Sequence, residues 1–292
     1  MPDQLSLGRI NKITISAVSD TEVQLDCSAL SLPESVPYKP KYLVLAKDAL
    51  NIQAKVGDQI NAMLYLNANL ELVATTQKPM IQVGECAFLK VVSTTEQGAF
   101  LDWGLPKDLF LPHFQQAYPV RTGKSYVVYA YLDEQSGRVA CSTMLHHYLS
   151  EEASQWLKKG QQVELLIASK SELGFKAVID GHSLGLIFHQ EISQPLEYGE
   201  RLKGWIKNIR EDGRIDLSIN DLDNETRDQL AETILAAIHA NNGKLELSDK
   251  SSPEAIYKAF KVSKKNFKRA ISGLYKNRII RIESTYIELN KD

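Results

Sequence analysis

One phrase occurs three times in this chain. It reads VGDQINAMLYLNANLELVATT from Val56, TGKSYVVYAYLDEQSGRVACST from Thr122 and YGERLKGWIKNIREDGRIDLSIN from Tyr198. Each copy opens on a glycine (Gly57, Gly123, Gly199), runs as an alternating strand, turns on a polar tip and returns as a second strand. The glycines stand 66 and 76 residues apart. Repeats at domain-sized spacing constrain architecture before any single residue does, and here they predict three small β-barrels in a row.

Alternation assigns the faces of the first strand in each phrase. Ile60, Ala62 and Leu64, then Tyr126, Val128 and Ala130, then Leu202, Gly204 and Ile206 share one side, and all are fit to line a barrel. Met63 and Tyr65, Tyr129 and Tyr131, Trp205 and Lys207 fall on the other side. Large residues there have two readings, packing against a neighbouring barrel or stacking with a ligand.

Further strands precede each phrase. The first unit offers Leu7–Ser16, Glu22–Asp26 and Tyr42–Ala46, with a Pro-rich loop from Pro33 to Pro40. The second offers Glu85–Ser93, Gly98–Asp102 and Asp108–Pro112; the third offers Gln162–Lys170, Gly174–Asp180 and Leu184–His189. Five short strands with regular turn signals predict a five-stranded OB barrel.

Beyond a polar linker at Asp221–Thr226 the apolar period becomes 3.6. Glu225–Ala240 is predicted as a helix closed by Asn241-Asn242-Gly243. Ser252-Pro253 opens a second helix and Ser263 a third, through Lys276. Arg278–Ile282 and Tyr286–Leu289 then alternate as a hairpin, which completes the order of a winged helix. The expected domains are residues 1–76, 77–147, 148–222 and 223–292: three barrels, the first divergent, and a winged helix-turn-helix. The fold class is mainly β with an α+β C-terminus. The stretch around Glu151–Leu157 reads as a linker with helical character.

Charge is unevenly spread. Residues 225–292 hold 13 Lys and Arg against 9 Asp and Glu, whereas the preceding residues hold 21 against 27. A basic tail domain on an acidic body points to nucleic acid as a partner of the tail. Three widely spaced cysteines (Cys27, Cys86, Cys141) indicate neither a disulfide framework nor a zinc site, and a reducing cytoplasm is expected. No run of about 18 apolar residues predicts a membrane span. The chain carries no Walker loop, dinucleotide fingerprint or nucleophile elbow, so neither an enzyme nor a cofactor is expected.

From Gly84 to about Met144 the second unit resembles an S-one-type repeat, the RNA-binding OB fold named after the largest small-subunit ribosomal protein. The resemblance rests on the GAF turn Gly98-Ala99-Phe100, Asp102, Gly104, the Leu109 strand, Gly123 and Arg138. The third unit matches through Leu173-Gly174-Phe175, Gly185-Leu186 and Arg214, with Phe175 and Lys176 both open as the counterpart of the GAF phenylalanine. Gln97 stands where such repeats carry an aromatic, and Leu111 lies near their usual histidine position, with His113 two residues on. Three such barrels followed by a winged helix resemble the conserved virulence factor B family of bacterial RNA-binding regulators. That resemblance implies RNA binding and a post-transcriptional role in gene expression.

The candidate barrel sites are Phe100, Phe110, Tyr129 and Arg138 in the second unit, and Lys176, Phe188, His189, Trp205, Lys207 and Arg214 in the third. Aromatic rings on an OB surface stack on bases without regard to sequence. In the third helix Phe267, Ala270, Ile271 and Leu274 take core spacing, while Lys265, Lys268, Arg269, Ser272 and Lys276 share the opposite face, with Lys264 at its start. Cations in the first turns oppose the helix dipole, so a polyanion is the expected neighbour. Arg278 and Arg281 add charge at the wing. Single-stranded RNA is the expected partner, with the ribosome or RNA-processing machinery as the setting. The alternatives are a DNA-binding transcription regulator and a non-catalytic interaction scaffold.

Overall fold

The computed structural model describes residues 5–31, 40–50, 53–67, 69–153, 155–192, 195–219 and 224–290. The chain divides into two compact units, Met1–Leu149 and Ser150–Asp292. Most of the Pro33–Pro40 loop and the start of the Asp221–Thr226 linker lie outside the described residues.

The first unit contains two five-stranded sheets. Its first sheet comprises Ile10–Val18, Glu22–Asp26, Tyr42–Ala46, Gln59–Leu66 and Leu72–Thr75; its second comprises Cys86–Thr94, Gly98–Leu101, Leu109–Pro112, Ser125–Leu132 and Val139–Ser142. The second unit repeats the order with Gln162–Lys170, Gly174–Ile179, Ser183–Phe188, Arg201–Ile209 and Ile215–Ser218. In each, the first strand pairs antiparallel with the second and the fourth. The second and third barrels close through a parallel pairing of strands three and five.

The first sheet follows the same ladder but is not closed by hydrogen bonds between Tyr42–Ala46 and Leu72–Thr75. The Thr76 hydroxyl donates to the Ala49 carbonyl at 2.9 Å near this seam. Its connection between strands two and three, from Asp26 to Tyr42, runs 15 residues, against 7 between Leu101 and Leu109 in the second barrel.

The repeated glycines mark a shared piece of backbone engineering. Strand one slips register between Ile15 and Ala17, Val91 and Ser93, and Ile167 and Ser169. Such a bulge bends the strand so that it serves both sides of a barrel. The N–H groups of Gly57, Gly123 and Gly199 donate to the carbonyls of Ile15, Val91 and Ile167 at 2.9, 2.8 and 2.8 Å. All three glycines have positive φ, and nothing lies within 4 Å of a Cβ placed on Gly57 or Gly123. Backbone conformation, not space, demands glycine there.

Side chains fall as period two requires. Ile60, Ala62 and Leu64, Val128 and Ala130, and Gly204 and Ile206 are buried inside their barrels, while Tyr126 and Leu202 are half-buried at the rims. Met63 is buried too, although it faces out of its own barrel. It joins the core of the second barrel, and Tyr65 beside it meets Trp103 edge-on at 6.1 Å. The first two barrels thus share an apolar seam.

The winged domain packs Ile234, Ile238, Ile256, Phe267, Ala270, Ile271, Leu274, Ile280 and Ile287 into one core. Its helices are α1 (Asn224–Ala240), α2 (Pro253–Phe260) and α3 (Lys264–Lys276). Asn242 and Gly243 stop α1 in left-handed conformations, and Lys261 does the same for α2. The Ser252 and Ser263 hydroxyls accept from the Ala255 and Asn266 N–H groups, capping α2 and α3. The expected hairpin gains a third strand, Lys244–Leu245, beside Ile287–Leu289.

The helical character expected of the linker into the third barrel is not found. The described residues around Glu151–Leu157 form no helix; Glu152 instead bridges to Arg214, and the Ala153 N–H donates to the Gly213 carbonyl. The backbone hydrogen bonds there go to the barrel instead of a helical turn. No helix among the described residues is long and apolar enough to cross a membrane.

Candidate nucleic-acid interface

Strands two and three are drawn together by a glycine without room for a side chain. A Cβ on Gly98 would run into the Leu111 carbonyl, and one on Gly174 into the Ile187 carbonyl. That close crossing presents the outward residues of both strands as one surface. In the second barrel Phe100 pairs with Phe110, and their rings lie 5.2 Å apart at 41°. Phe110 also sits opposite Ala140 across the parallel seam. These residues, with Gln97, Phe114 and Arg138, line a groove of about 850 Å³.

The third barrel places a groove of about 410 Å³ at the same strands, lined by Lys176, Leu186, Arg210 and Arg214. Register resolves the open choice between Phe175 and Lys176. Lys176 pairs with Leu186 as Phe100 pairs with Phe110, and Leu186 faces Asp216 as Phe110 faces Ala140. Lys176 is therefore the counterpart of the GAF phenylalanine. Phe175 packs against the barrel core and lies 6.3 Å from His189 and 6.4 Å from Tyr198.

Cations of the third groove are matched by local acids. Lys176 Nζ lies 2.9 Å from Glu151 Oε1, Arg210 Nη2 lies 2.6 Å from Asp216 Oδ1, and Arg214 Nε lies 3.8 Å from Asp212 Oδ2. Arg210 also covers the Phe188 ring at 5.4 Å. Sequence reasoning passed over Arg210, although it sits 4 residues before Arg214 in the same loop.

Tyr129 does not join Phe100, Phe110 and Arg138. It lies on strand four, paired with Cys86 and Ser142, and its ring stacks on Tyr148 at 4.7 Å and 20°. Tyr131 stacks on Tyr148 as well, at 5.1 Å. Trp205 and Lys207 occupy the matching positions of the third barrel, where Trp205 pairs with Gln162 and Ser218. Both strand-four pairs point away from the grooves. Outward facing on a closed barrel covers its whole circumference, and strand parity alone does not separate the sides.

Lys207 meets a residue that sequence reasoning missed. Glu191 is 1% exposed at its side chain, yet its Oε1 accepts from Lys207 Nζ at 2.6 Å and from Lys265 Nζ at 2.7 Å. Its Oε2 accepts from the Ser218 hydroxyl at 2.8 Å. Burial pushes the Glu191 carboxyl up, but the hydrogen bonds from Lys207, Lys265 and Ser218 outweigh it and hold the group down at about 2. Glu191 aligns 76 residues after Gln115, so the repeat itself marked the position.

The basic face of α3 is assembled as its spacing requires. Lys264, Lys265, Lys268, Arg269, Ser272 and Lys276 line one side, and no acid occupies the first turn. Lys265 is held by Glu191, and Lys268 stands 3.8 Å from Asp249. Lys264, Arg269 and Lys276 form no ion pair among the described residues. Arg278 follows α3 in a left-handed conformation, and Arg281 donates from Nε to Asn290 Oδ1 at 2.8 Å. The described residues contain no cluster of three or more metal-type ligands, and all three cysteines are buried thiols.

Barrel order, grooves and basic helix together define a tandem OB-barrel protein with a C-terminal winged helix. Residues 232–289 match the CvfB-like winged helix domain. Conserved virulence factor B of Staphylococcus saprophyticus is 30% identical over 254 residues, which cover 82% of this chain and 82% of that protein. The protein of the same name from Staphylococcus aureus is 31% identical over 257 residues, again 82% of each. A solved structure from Streptococcus pneumoniae, described as a multidomain protein with nucleic acid binding domains, covers 97% of this chain and 98% of its own at 22% identity, with a TM-score of 0.40. The chain belongs to the conserved virulence factor B family.

Proposed function

We propose that this chain is a cytoplasmic, non-catalytic RNA-binding protein that acts after transcription on gene expression. The observation that carries the reading is the Phe100–Phe110 ring pair in a groove with Arg138, on strands two and three of an OB barrel. That surface and its flanking loops are where OB folds take oligonucleotides. Stacking of a base is worth about 1–3 kcal/mol and asks nothing of its identity.

The third barrel supplies cations at the matching place, and α3 supplies more. Each contact is weak alone. Tethering them on one chain raises the effective concentration at the next site once the first is filled.

Fluorescence anisotropy against labelled single-stranded RNA, single-stranded DNA and duplex DNA at two salt concentrations tests this reading. Preference for single-stranded RNA supports it, with log affinity falling by about 0.7 per phosphate contact as log salt rises. A second reading, duplex DNA binding, is favoured by the α3 face of Lys264, Lys268, Arg269 and Lys276. Tighter binding to the duplex would select it. Binding to none of the three would leave an interaction scaffold.

A further inference from the structure

We propose that Glu191 is an internal competitor for nucleic-acid phosphate, holding Lys265 of α3 and Lys207 of the third barrel until a polyanion displaces it from Lys265. The inference rests on the nucleic-acid-binding reading and adds to it a control on the basic face.

Geometry carries it. Both lysines reach the same oxygen, Oε1, at 2.6 and 2.7 Å, while Ser218 occupies Oε2. The carboxylate is buried, but the Lys265 and Lys207 side chains are 47% and 30% exposed. A phosphate arriving from solvent thus reaches the ammonium groups without entering the core. When Lys265 turns to it, Glu191 keeps Lys207 and Ser218 and is not stranded as a lone buried charge. The pairing also fixes the register between α3 and the barrel, because a single carboxylate oxygen bridges residues 207 and 265.

Comparison of the repeats separates this device from generic barrel construction. The second barrel carries Gln115 where the third has Glu191, and Tyr131 where the third has Lys207. There the corner is covered by Tyr148 stacked on Tyr129 and Tyr131, with no ion pair. A neutral residue therefore fits this corner, and the acid appears where a basic helix docks.

The test is Glu191→Gln, a substitution that the second barrel already makes at its own corner. Two probes are titrated by anisotropy across salt: a labelled uridine oligomer of about 20 nucleotides, and labelled heparin, a polyanion without bases. Glu232→Gln on α1, an exposed acid, controls for the change in net charge.

Expected is a several-fold gain in affinity for both probes over the control at low salt, with a salt dependence steeper by about one phosphate contact. The gain should vanish when Lys265→Met is added. A gain equal to that of Glu232→Gln, or one that survives Lys265→Met, would overturn the proposal. So would wild-type indifference to heparin. Loss of uridine binding with heparin binding intact would instead strike the RNA reading and leave the competition measurable.

Discussion

Lys265 Nζ lies 2.7 Å from Glu191 Oε1, joining the first turn of α3 to a corner of the third barrel. A lysine at a helix N-terminus meets the positive end of the dipole and gains nothing from it. A buried carboxylate beside it removes that penalty. The same carboxylate gives the Ser150–Asp292 unit a pH signature.

Glu191 is held at about 2, below its ordinary 4.5, so its folded form binds protons less readily than its unfolded form. Its contribution to stability is complete above about 4.5 and is lost as pH falls toward about 2. Thermal melts of wild type and Glu191→Gln across pH read this directly. The gap between them should be constant from neutrality down to about 4.5 and shrink below it. A gap that stays constant over the whole window would contradict the ionic role.

Gly174 should tolerate no side chain, because a Cβ would meet the Ile187 carbonyl where strands two and three cross. Gly174→Ala is expected to destabilise its unit by about 2–4 kcal/mol in urea unfolding. Gly123→Ala should cost only about 1–2 kcal/mol, since its positive φ is strained but the space is open. Equal costs would show that crossing distance does not matter.

Phe100→Ala and Phe110→Ala should each weaken single-stranded RNA binding by about 1–3 kcal/mol. Both rings are half-buried and touch each other, so each variant also gives up about 0.5–1.5 kcal/mol of folding stability. A melt that falls without loss of RNA affinity would mark the pair as packing alone.

Lys176 and Phe175 are adjacent and opposite in role. Lys176→Ala should reduce RNA affinity and flatten its salt dependence with little change in melting. Phe175→Ala should lower the melting temperature, because the ring packs against the third barrel core. Reversed outcomes would shift the barrel register by one residue and flip every side chain on the strand.

Much of this architecture was legible in the sequence because its signals are local. Period two marked Ile60, Ala62 and Leu64 as interior, and Ser252 and Ser263 announced α2 and α3 through cap chemistry. The partition of outward residues was not legible. Phe100 and Tyr129 both face out, yet one lines the strand two–three groove and the other stacks under Tyr148. Strand parity gives two faces, whereas a barrel has a circumference. Met63 showed the same limit, since a second barrel turned its outward face into core.

Glu191 was hidden for another reason. Its partners Lys207, Ser218 and Lys265 are 16, 27 and 74 residues away in sequence, and no local pattern joins them. The Gln115 position of the second barrel was the only pointer, and it identifies a corner without revealing its charge partners. Register similarly had to settle Lys176 against Phe175, because a one-residue choice is invisible until Gly174 is paired with Phe188.

Photo-crosslinking of the full chain to a single-stranded uridine oligomer, with the modified residues located by mass spectrometry, tests the binding reading most directly. Crosslinks are expected at Phe100 and Phe110 and beside Lys176, the strand two–three surfaces of the second and third barrels. Crosslinks confined to Tyr129, Tyr131 and Trp205 on the strand-four sides, with none in the grooves, would contradict it.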